Sequence, residues 1–230
     1  MKATVKTRAK APVKVLVVDV GGTGVKILAS GQTRRRKFPS GKTLTPDKMV
    51  AGVKRLAKGW EYDVVSIGYP GPVREDRPAV EPHNLARGWV GFDFPAAFGC
   101  PVKILNDAAM QALGSYRRGT MLFLGLRTGL GTALVVDGTV VPLELGHLSL
   151  GGRTFEDDLG IGGLERLGRK KWQKRAEAVI KRFVSALLLD EVVLGGGNAK
   201  KLTRLPMGCR MGDNANAFLG GFRLWEGARK

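Results

Sequence analysis

The sequence predicts an α/β fold of two lobes, each built on a mixed sheet. Three observations predict it. A succession of strand, glycine turn, strand, turn and strand occurs near the N-terminus and returns in the middle of the chain. Each succession is followed by helical segments with one apolar face and by further apolar strands. The chain has 230 residues, 43% of them hydrophobic, enough for one large core or two modest ones without disulfides.

The elements follow in order. Met1 to Pro12 is basic, lacks the apolar segment of a secretory signal, and reads as a disordered tail. Val13–Val18, Val25–Ala29 and Arg34–Phe38 read as short antiparallel strands, turned by Gly21-Gly22 and by Ser30-Gly31-Gln32. Thr45-Pro46-Asp47 opens a helix, with threonine as N-cap and proline at the first helical position. Met49, Val53, Leu56 and Ala57 supply its apolar face, and Gly59 ends it. Val64–Ile67 is a buried strand running into the forced turn Pro70-Gly71-Pro72. Val102–Leu105 is another strand, ending on Asn106-Asp107, and a helix, Ala108–Tyr116, follows.

The second meander comprises Met121–Leu126, the turn Thr128-Gly129-Leu130-Gly131-Thr132, Ala133–Val136, the turn Asp137-Gly138, and Thr139–Val141. The echo suggests duplication of one βββ unit. A long helix then places Trp172, Ala176, Val179, Ile180, Phe183 and Leu187 on one face. Lys171, Lys174, Arg175 and Arg182 lie on the other. Glu191–Leu194 is a last strand before Gly195-Gly196-Gly197-Asn198, and a helix from about Asn214 to Leu224 closes the chain. On this reading residues 13–105 form a small N-terminal lobe and 106–213 a larger C-terminal lobe, while 214–230 carry a helix that returns to the first lobe.

Lysine and arginine outnumber the acids 38 to 20, a net charge of +18. Such an excess attracts polyanions: nucleic acid, anionic lipid or polyphosphate. It equally serves solubility and by itself names no partner. Cys100 and Cys209 are too few for a disulfide framework or a four-cysteine zinc site, which fits a reducing cytoplasm. No apolar run is long enough to span a membrane.

The chemistry concentrates at strand ends. In Asp19-Val20-Gly21-Gly22-Thr23-Gly24-Val25-Lys26 an apolar strand delivers a carboxylate to a turn whose backbone N–H groups can form an anion nest, and Thr23 and Lys26 add donors. Asp19 accepts only, so it suits a hydrated Mg²⁺ better than a phosphate. The same turn reads equally as a plain hairpin. Thr128, Gly129, Gly131 and Thr132 form the second such turn, and Gly195, Gly196, Gly197 and Asn198 the third. Three of them, each after an apolar strand, suit a string of phosphates held between two lobes. Gly41-Lys42-Thr43 is no P-loop, because Arg36 stands where that motif needs glycine. Asp107 is placed to take a proton from an acceptor hydroxyl, or merely to cap the helix behind it. Glu144 and His147, in Glu144-Leu145-Gly146-His147, and Glu156 soon after carry groups suited to sugar hydroxyls. A structural histidine is the plainer reading of His147, and one histidine without nearby cysteine assembles no zinc site.

Asp19-Val-Gly-Gly-Thr, Tyr69-Pro-Gly, Leu105-Asn-Asp-Ala, Thr128-Gly-Leu-Gly-Thr, Glu144-Leu-Gly-His and Gly195-Gly-Gly-Asn stand in the order seen in ROK-type sugar kinases. The chain resembles that family over about residues 13 to 225, and within it most resembles the polyphosphate glucokinase branch. Gly151-Gly152 after the Glu-x-Gly-His motif, in place of a zinc-binding cysteine cluster, and Lys171-Trp172 before the last glycine strand carry the closer likeness. The resemblance implies the two-lobed actin/hexokinase-like (ribonuclease H-like) ATPase fold. It implies Asp107 as catalytic base, and Asn84, Asn106, Glu144, His147 and Glu156 as ligands of glucose or a related hexose. The donor, ATP or polyphosphate, would lie on the glycine turns with Mg²⁺; zinc, membrane and specific nucleic acid are not expected, and a homodimer is. Ala108-Ala109-Met110 departs from the family by lacking a second acid. The alternatives are a non-catalytic sugar-sensing relative and a basic nucleic-acid-binding protein. The former usually carries a helix-turn-helix, for which the dozen residues before the first strand leave no room. The latter leaves Asn106-Asp107 and Glu144 to His147 unexplained.

Overall fold

The computed structural model describes residues 12–226; the expected basic tail lies outside the described residues but for Pro12, as do residues 227–230. The first half of the chain forms β1 (Val15–Val20), β2 (Gly24–Ala29), β3 (Arg36–Pro39), α1 (Pro46–Leu56), β4 (Val64–Tyr69), the small hairpin β5 (Val73–Arg74) and β6 (Arg77–Pro78), α2 (Phe94–Phe98), β7 (Val102–Asn106) and α3 (Asp107–Ser115). The second half forms β8 (Thr120–Leu126), β9 (Leu130–Val136), β10 (Thr139–Leu143), a 3₁₀ turn at Leu145–His147, β11 (Ser149–Leu150), β12 (Arg153–Thr154), α4 (Phe155–Leu159), α5 (Ile161–Leu187), β13 (Glu191–Gly195), a 3₁₀ turn at Asn198–Lys201, β14 (Cys209–Met211) and α6 (Asn216–Arg223).

Two five-stranded mixed sheets share one topology. The first runs β3-β2-β1-β4-β7 and the second β10-β9-β8-β13-β14. In each, a three-stranded antiparallel meander is extended by two parallel strands. The repetition read from the two meanders therefore extends through both whole sheets. β14 escaped the sequence reading because three residues, Cys209–Met211, carry too little apolar pattern.

Strand periodicity explains why these sheets are covered on both faces. Leu16, Val18 and Val20 of β1 enter a core with α1, α2 and Trp89, whereas Val15 and Val17 face Phe218 of α6. In β8, Leu122, Leu124 and Leu126 pack with Trp172, Ala176, Val179, Ile180 and Phe183 of α5, while Met121 and Phe123 face Ala108, Ala109 and Ala112 of α3. Successive side chains point to opposite faces, so a wholly apolar strand needs a layer on each side. Helices α3 and α6 supply the layer between the two sheets. Ser66, buried in β4, is satisfied there: its hydroxyl donates to the Gly221 carbonyl at 2.6 Å and accepts the Trp225 indole N–H at 2.9 Å.

Two segments differ from the sequence reading in ways that matter for the site. β1 runs on to Val20, so Asp19 is a strand residue opposite Lys26 and Gly68 rather than part of the turn. β9 starts at Leu130, so Gly131 and Thr132 are paired strand residues and the second turn shrinks toward Arg127-Thr128-Gly129. In both meanders ladder hydrogen bonds continue into the glycine-rich stretch, because glycine does not prevent pairing. The long helix is also broken, at Gly168 with φ 70° and ψ 157°.

Where α3 crosses α6 the backbones touch. A Cβ on Gly114 would overlap the Asn216 carbonyl, and one on Gly220 the Met110 carbonyl. Gly114→Ala and Gly220→Ala should each destabilise the protein by about 3 kcal/mol or more, because the obstruction is backbone rather than a flexible side chain. Gly162→Ala, at a helical position with open space around it, should stay within about 1 kcal/mol of wild type. Urea unfolding of the three variants checks the contrast.

Candidate active site

Asp107 and Asn106 sit where β7 meets α3. Asn106 takes the cap: its Oδ1 accepts from Ala108 N at 2.8 Å and Ala109 N at 3.3 Å. Its Nδ2 donates to the Gly71 carbonyl at 3.2 Å, which leaves one amide hydrogen for a ligand. Asp107 is thereby the first helical residue rather than the cap. Its carboxylate faces the second sheet, with Oδ2 3.5 Å from Nη1 of Arg127 and the side chain 23% exposed. Burial pushes the carboxyl above its ordinary value; the Arg127 charge opposes this, and Asp19 and Glu144 reinforce it.

Asp19 lies at the end of β1 with Lys26 Nζ 3.1 Å from its Oδ2. The first glycine turn follows, closed by Gly21 N donating to the Gly24 carbonyl at 3.1 Å. Ser40 braces it from outside, its hydroxyl donating to the Gly21 carbonyl. Asn84 is brought to this turn: a Cβ on Gly22 would stand 3.3 Å from the Asn84 Cβ. The loop carrying Asn84 is tied down by Glu81, which accepts from the backbone N–H groups of Gly88, Trp89 and Val90 at 3.0, 3.1 and 3.3 Å.

The second and third turns are joined. Asn198, 7% exposed, donates from Nδ2 to the Arg127 carbonyl at 2.8 Å. Gly196, at φ +84°, lies so close to the Leu126 carbonyl that a side chain is excluded. Glu156 fits into the second turn: its Oε2 accepts from Leu130 N at 3.0 Å, in the space that the missing Gly129 side chain leaves. Glu144 and His147 follow β10 around the short 3₁₀ turn, both exposed at the rim. Burial raises the Glu144 carboxyl, with His147 opposing and Glu156 adding to the rise.

Thr132 requires a correction. It was expected on the phosphate turn, but its hydroxyl donates to the Leu143 carbonyl at 2.7 Å and accepts from Leu145 N at 3.0 Å. It is 2% exposed, so it has no hydrogen left for a phosphate. Its place in β9 instead fixes the start of the Glu144–His147 segment. Asn198, likewise expected to meet the donor, uses its amide N–H to hold two turns together. Among the described residues, no three His, Cys, Asp or Glu side chains converge as a metal-binding group.

The ROK family profile matches residues 15–156, a stretch that contains Asp19, Asn84, Asn106, Asp107, Glu144, His147 and Glu156. The chain belongs to the ROK family. A polyphosphate glucokinase of Mycobacterium tuberculosis is 30% identical over 210 residues, 80% of this chain and 77% of that protein. An N-acetylmannosamine kinase of Salmonella paratyphi A is 28% identical over 170 residues, 66% of this chain and 58% of that protein. The crystal structure of an inorganic polyphosphate/ATP-glucomannokinase from Arthrobacter sp. strain KM superposes with a TM-score of 0.76 at 24% identity, covering 91% of this chain and 97% of that one. The fold is accordingly the actin/hexokinase-like one.

Within this ROK fold, sequence reasoning missed Arg127, Glu81, Ser40 and Gly160. Gly160 packs against Thr128 and Gly129, with no room for a Cβ. Arg127, Ser40 and Gly160 act on residues about twenty or more positions away, and Glu81 gathers N–H groups across an irregular loop, so no local pattern exposes them. Arg127 alone carried a signal, as the charged residue heading a glycine turn. The Asp107 carboxyl should titrate above the ordinary aspartate value of 3.8, because burial favours its neutral form. In Arg127→Met the midpoint should rise further, since the lost positive charge had favoured the carboxylate. Carboxyl ¹³C NMR titration measures both; a midpoint at or below 3.8 contradicts the first expectation.

Proposed function

We propose that this ROK protein is a sugar kinase that transfers a phosphoryl group from polyphosphate or ATP to the 6-hydroxyl of glucose or a related hexose. The observation that carries the reading is the division of labour at the β7–α3 junction: Asn106 caps the helix, which leaves the Asp107 carboxylate aimed at the glycine turns of the opposite sheet. On this reading residues 13–105 and 106–213 act as two lobes, and the segment from 214 onward bridges back to the first. Closure of the lobes over both substrates would exclude water from the transfer.

Asp107 orients the acceptor hydroxyl and takes its proton as the oxygen attacks. Burial gives it a higher affinity for protons than an ordinary aspartate has, which favours taking one from the hydroxyl. Asn84, Asn106, Glu144, His147 and Glu156 hold the sugar hydroxyls; Asn106 has one amide hydrogen free for this and Glu156 one carboxylate oxygen. The N–H groups of Gly22, Thr23 and Gly24, of Thr128 and Gly129, and of Gly195 to Gly197 hold the donor phosphates, with Lys26 adding charge, while the Gly21 N–H closes its own turn. Asp19 fits a magnesium ion, because it is a hard oxygen ligand already facing a cation, Lys26, at 3.1 Å. A magnesium ion bound there through water would neutralise donor phosphate charge. Two unpaired cysteines fit work in a reducing cytoplasm, and no described helix is long and apolar enough to cross a membrane.

Asp107→Asn should lower kcat by about 10²–10⁴-fold while glucose binding persists, since the amide keeps the shape and loses the base. A coupled assay for sugar 6-phosphate together with calorimetric glucose binding checks this. Near-wild-type kcat would make Asp107 a structural residue only.

The donor preference rests on charge. Lys171 and Lys174 are exposed on α5, whereas Arg175 is paired with Asp158 at 3.4 Å. A long polyanion gains from each exposed cation and a single nucleotide does not. The kcat/KM for polyphosphate should therefore fall more steeply with added salt than that for ATP. Lys171→Glu with Lys174→Glu should impair polyphosphate use more than ATP use. Equal losses for both donors would leave the basic helix face as a solvated surface.

A further inference from the structure

Arg127 differs from the other buried-side arginines of this fold. Arg210 grips Glu191 with a fork, through Nε at 2.6 Å and Nη2 at 3.0 Å. Arg223 binds the carbonyls of Leu113, Gly114 and Tyr116 at 2.7, 3.3 and 3.0 Å. These are structural arginines, each anchored by several fixed partners. Among the described residues the Arg127 guanidinium has one polar contact, Nη1 to Asp107 Oδ2 at 3.5 Å, and its side chain is 45% exposed. Charge-assisted N–H···O bonds usually close to about 2.7–2.9 Å, so this one is weak and four guanidinium hydrogens remain uncommitted to it.

The base of the side chain is, by contrast, firmly held. Arg127 N donates to the Gly129 carbonyl at 3.1 Å, and the Arg127 carbonyl accepts from Asn198 at 2.8 Å. Its Cγ lies against Gly196, where a Cβ would come within 2.8 Å. Two glycine turns thus fix where the stem begins, and only the guanidinium is loose. That loose end lies between the candidate base and the turns that would hold the donor.

We propose that Arg127 is a catalytic residue that clamps the transferred phosphoryl group, and that it rests on Asp107 only until a donor arrives. The proposal depends on the kinase reading above. In the transfer, a bond forms between the sugar oxygen and phosphorus. The bond from phosphorus to the oxygen of the leaving phosphate breaks, and that oxygen keeps the electron pair. The hydroxyl proton passes to Asp107. Arg127 stays protonated and donates two N–H bonds to the equatorial oxygens of the moving group, where negative charge is spread in the transition state. Exchange is favourable because one long contact is replaced by a forked one. The move also takes a positive charge off Asp107 as the donor binds, so the base strengthens when it is needed.

The test uses the full chain as wild type, Arg127→Met, Arg127→Lys and Asp107→Asn, with ATP and with polyphosphate. Glucose, mannose and N-acetylmannosamine are the acceptors. Arg127→Met should lose at least about 10²-fold in kcat. Its calorimetric glucose affinity should change by less than about twofold, and its urea midpoint should not move, because the contacts that hold the turn are made by backbone. Arg127→Lys should fall between, since it keeps charge without the fork, and added guanidine should restore part of the Arg127→Met rate. A kcat for Arg127→Met within about threefold of wild type overturns the clamp, and a higher kcat makes the contact a latch only. Loss of glucose affinity or of stability in step with kcat also overturns it, in favour of a structural role. If wild type is active and Asp107→Asn is not, these failures concern Arg127 alone. A wild type that transfers from neither donor to any of the sugars rejects the kinase reading and the clamp together.

Discussion

The crossing of α3 and α6 is the constraint on which the rest of the molecule depends. These two helices form an apolar layer that both sheets share, and they meet backbone to backbone at Gly114 and Gly220. Close approach lets one helix lie flat on β8 and β9 and the other on β1 and β4. Because α3 begins at Asp107, its seating also sets how far that carboxylate stands from Arg127 on the opposite sheet. A wider crossing would move the two apart before any strand was disturbed.

Local chemistry then refines what the crossing places. Asn106 satisfies the first two N–H groups after Asp107, which frees Asp107 to face the cleft. Glu81 gathers three backbone donors from a loop that has no strand or helix of its own, and so gives Asn84 a fixed origin. Partial burial works against the Glu81 charge, but the three N–H groups hold its carboxyl below the usual range. Thr132 and Asn198 tie β9 to the Glu144 segment and the second turn to the third. The polar side chains deepest in the site therefore shape it, and those at its rim remain available to a substrate.

Charge is distributed by the same logic. Asp19 and Asp107 each face a cation from a neighbouring segment, Lys26 and Arg127. Both cations sit beside a glycine turn. Each carboxylate is thus paired with a positive charge. The chain's net charge of +18 is of the sign that attracts phosphate.

Much of the fold was legible in the sequence. Apolar runs marked β1, β4, β8 and β13, since strands covered on both faces are predominantly apolar, and Thr45-Pro46 marked the start of α1 through its capping chemistry. The glycine turns and Asn106-Asp107 were legible as a constellation, because turn and cap chemistry is local. The sequence could not decide whether Asp107 or Asn106 caps α3, how far β1 and β9 run into their glycines, or that Thr132 faces inward. Those outcomes depend on strand register and on which backbone donors lie within reach, and both are set by residues far away in the chain. The contact between Arg127 and Asp107 belongs to the same class: twenty residues separate them, on different sheets, and only the seating of α3 against β8 and β9 brings a guanidinium within reach of that carboxylate.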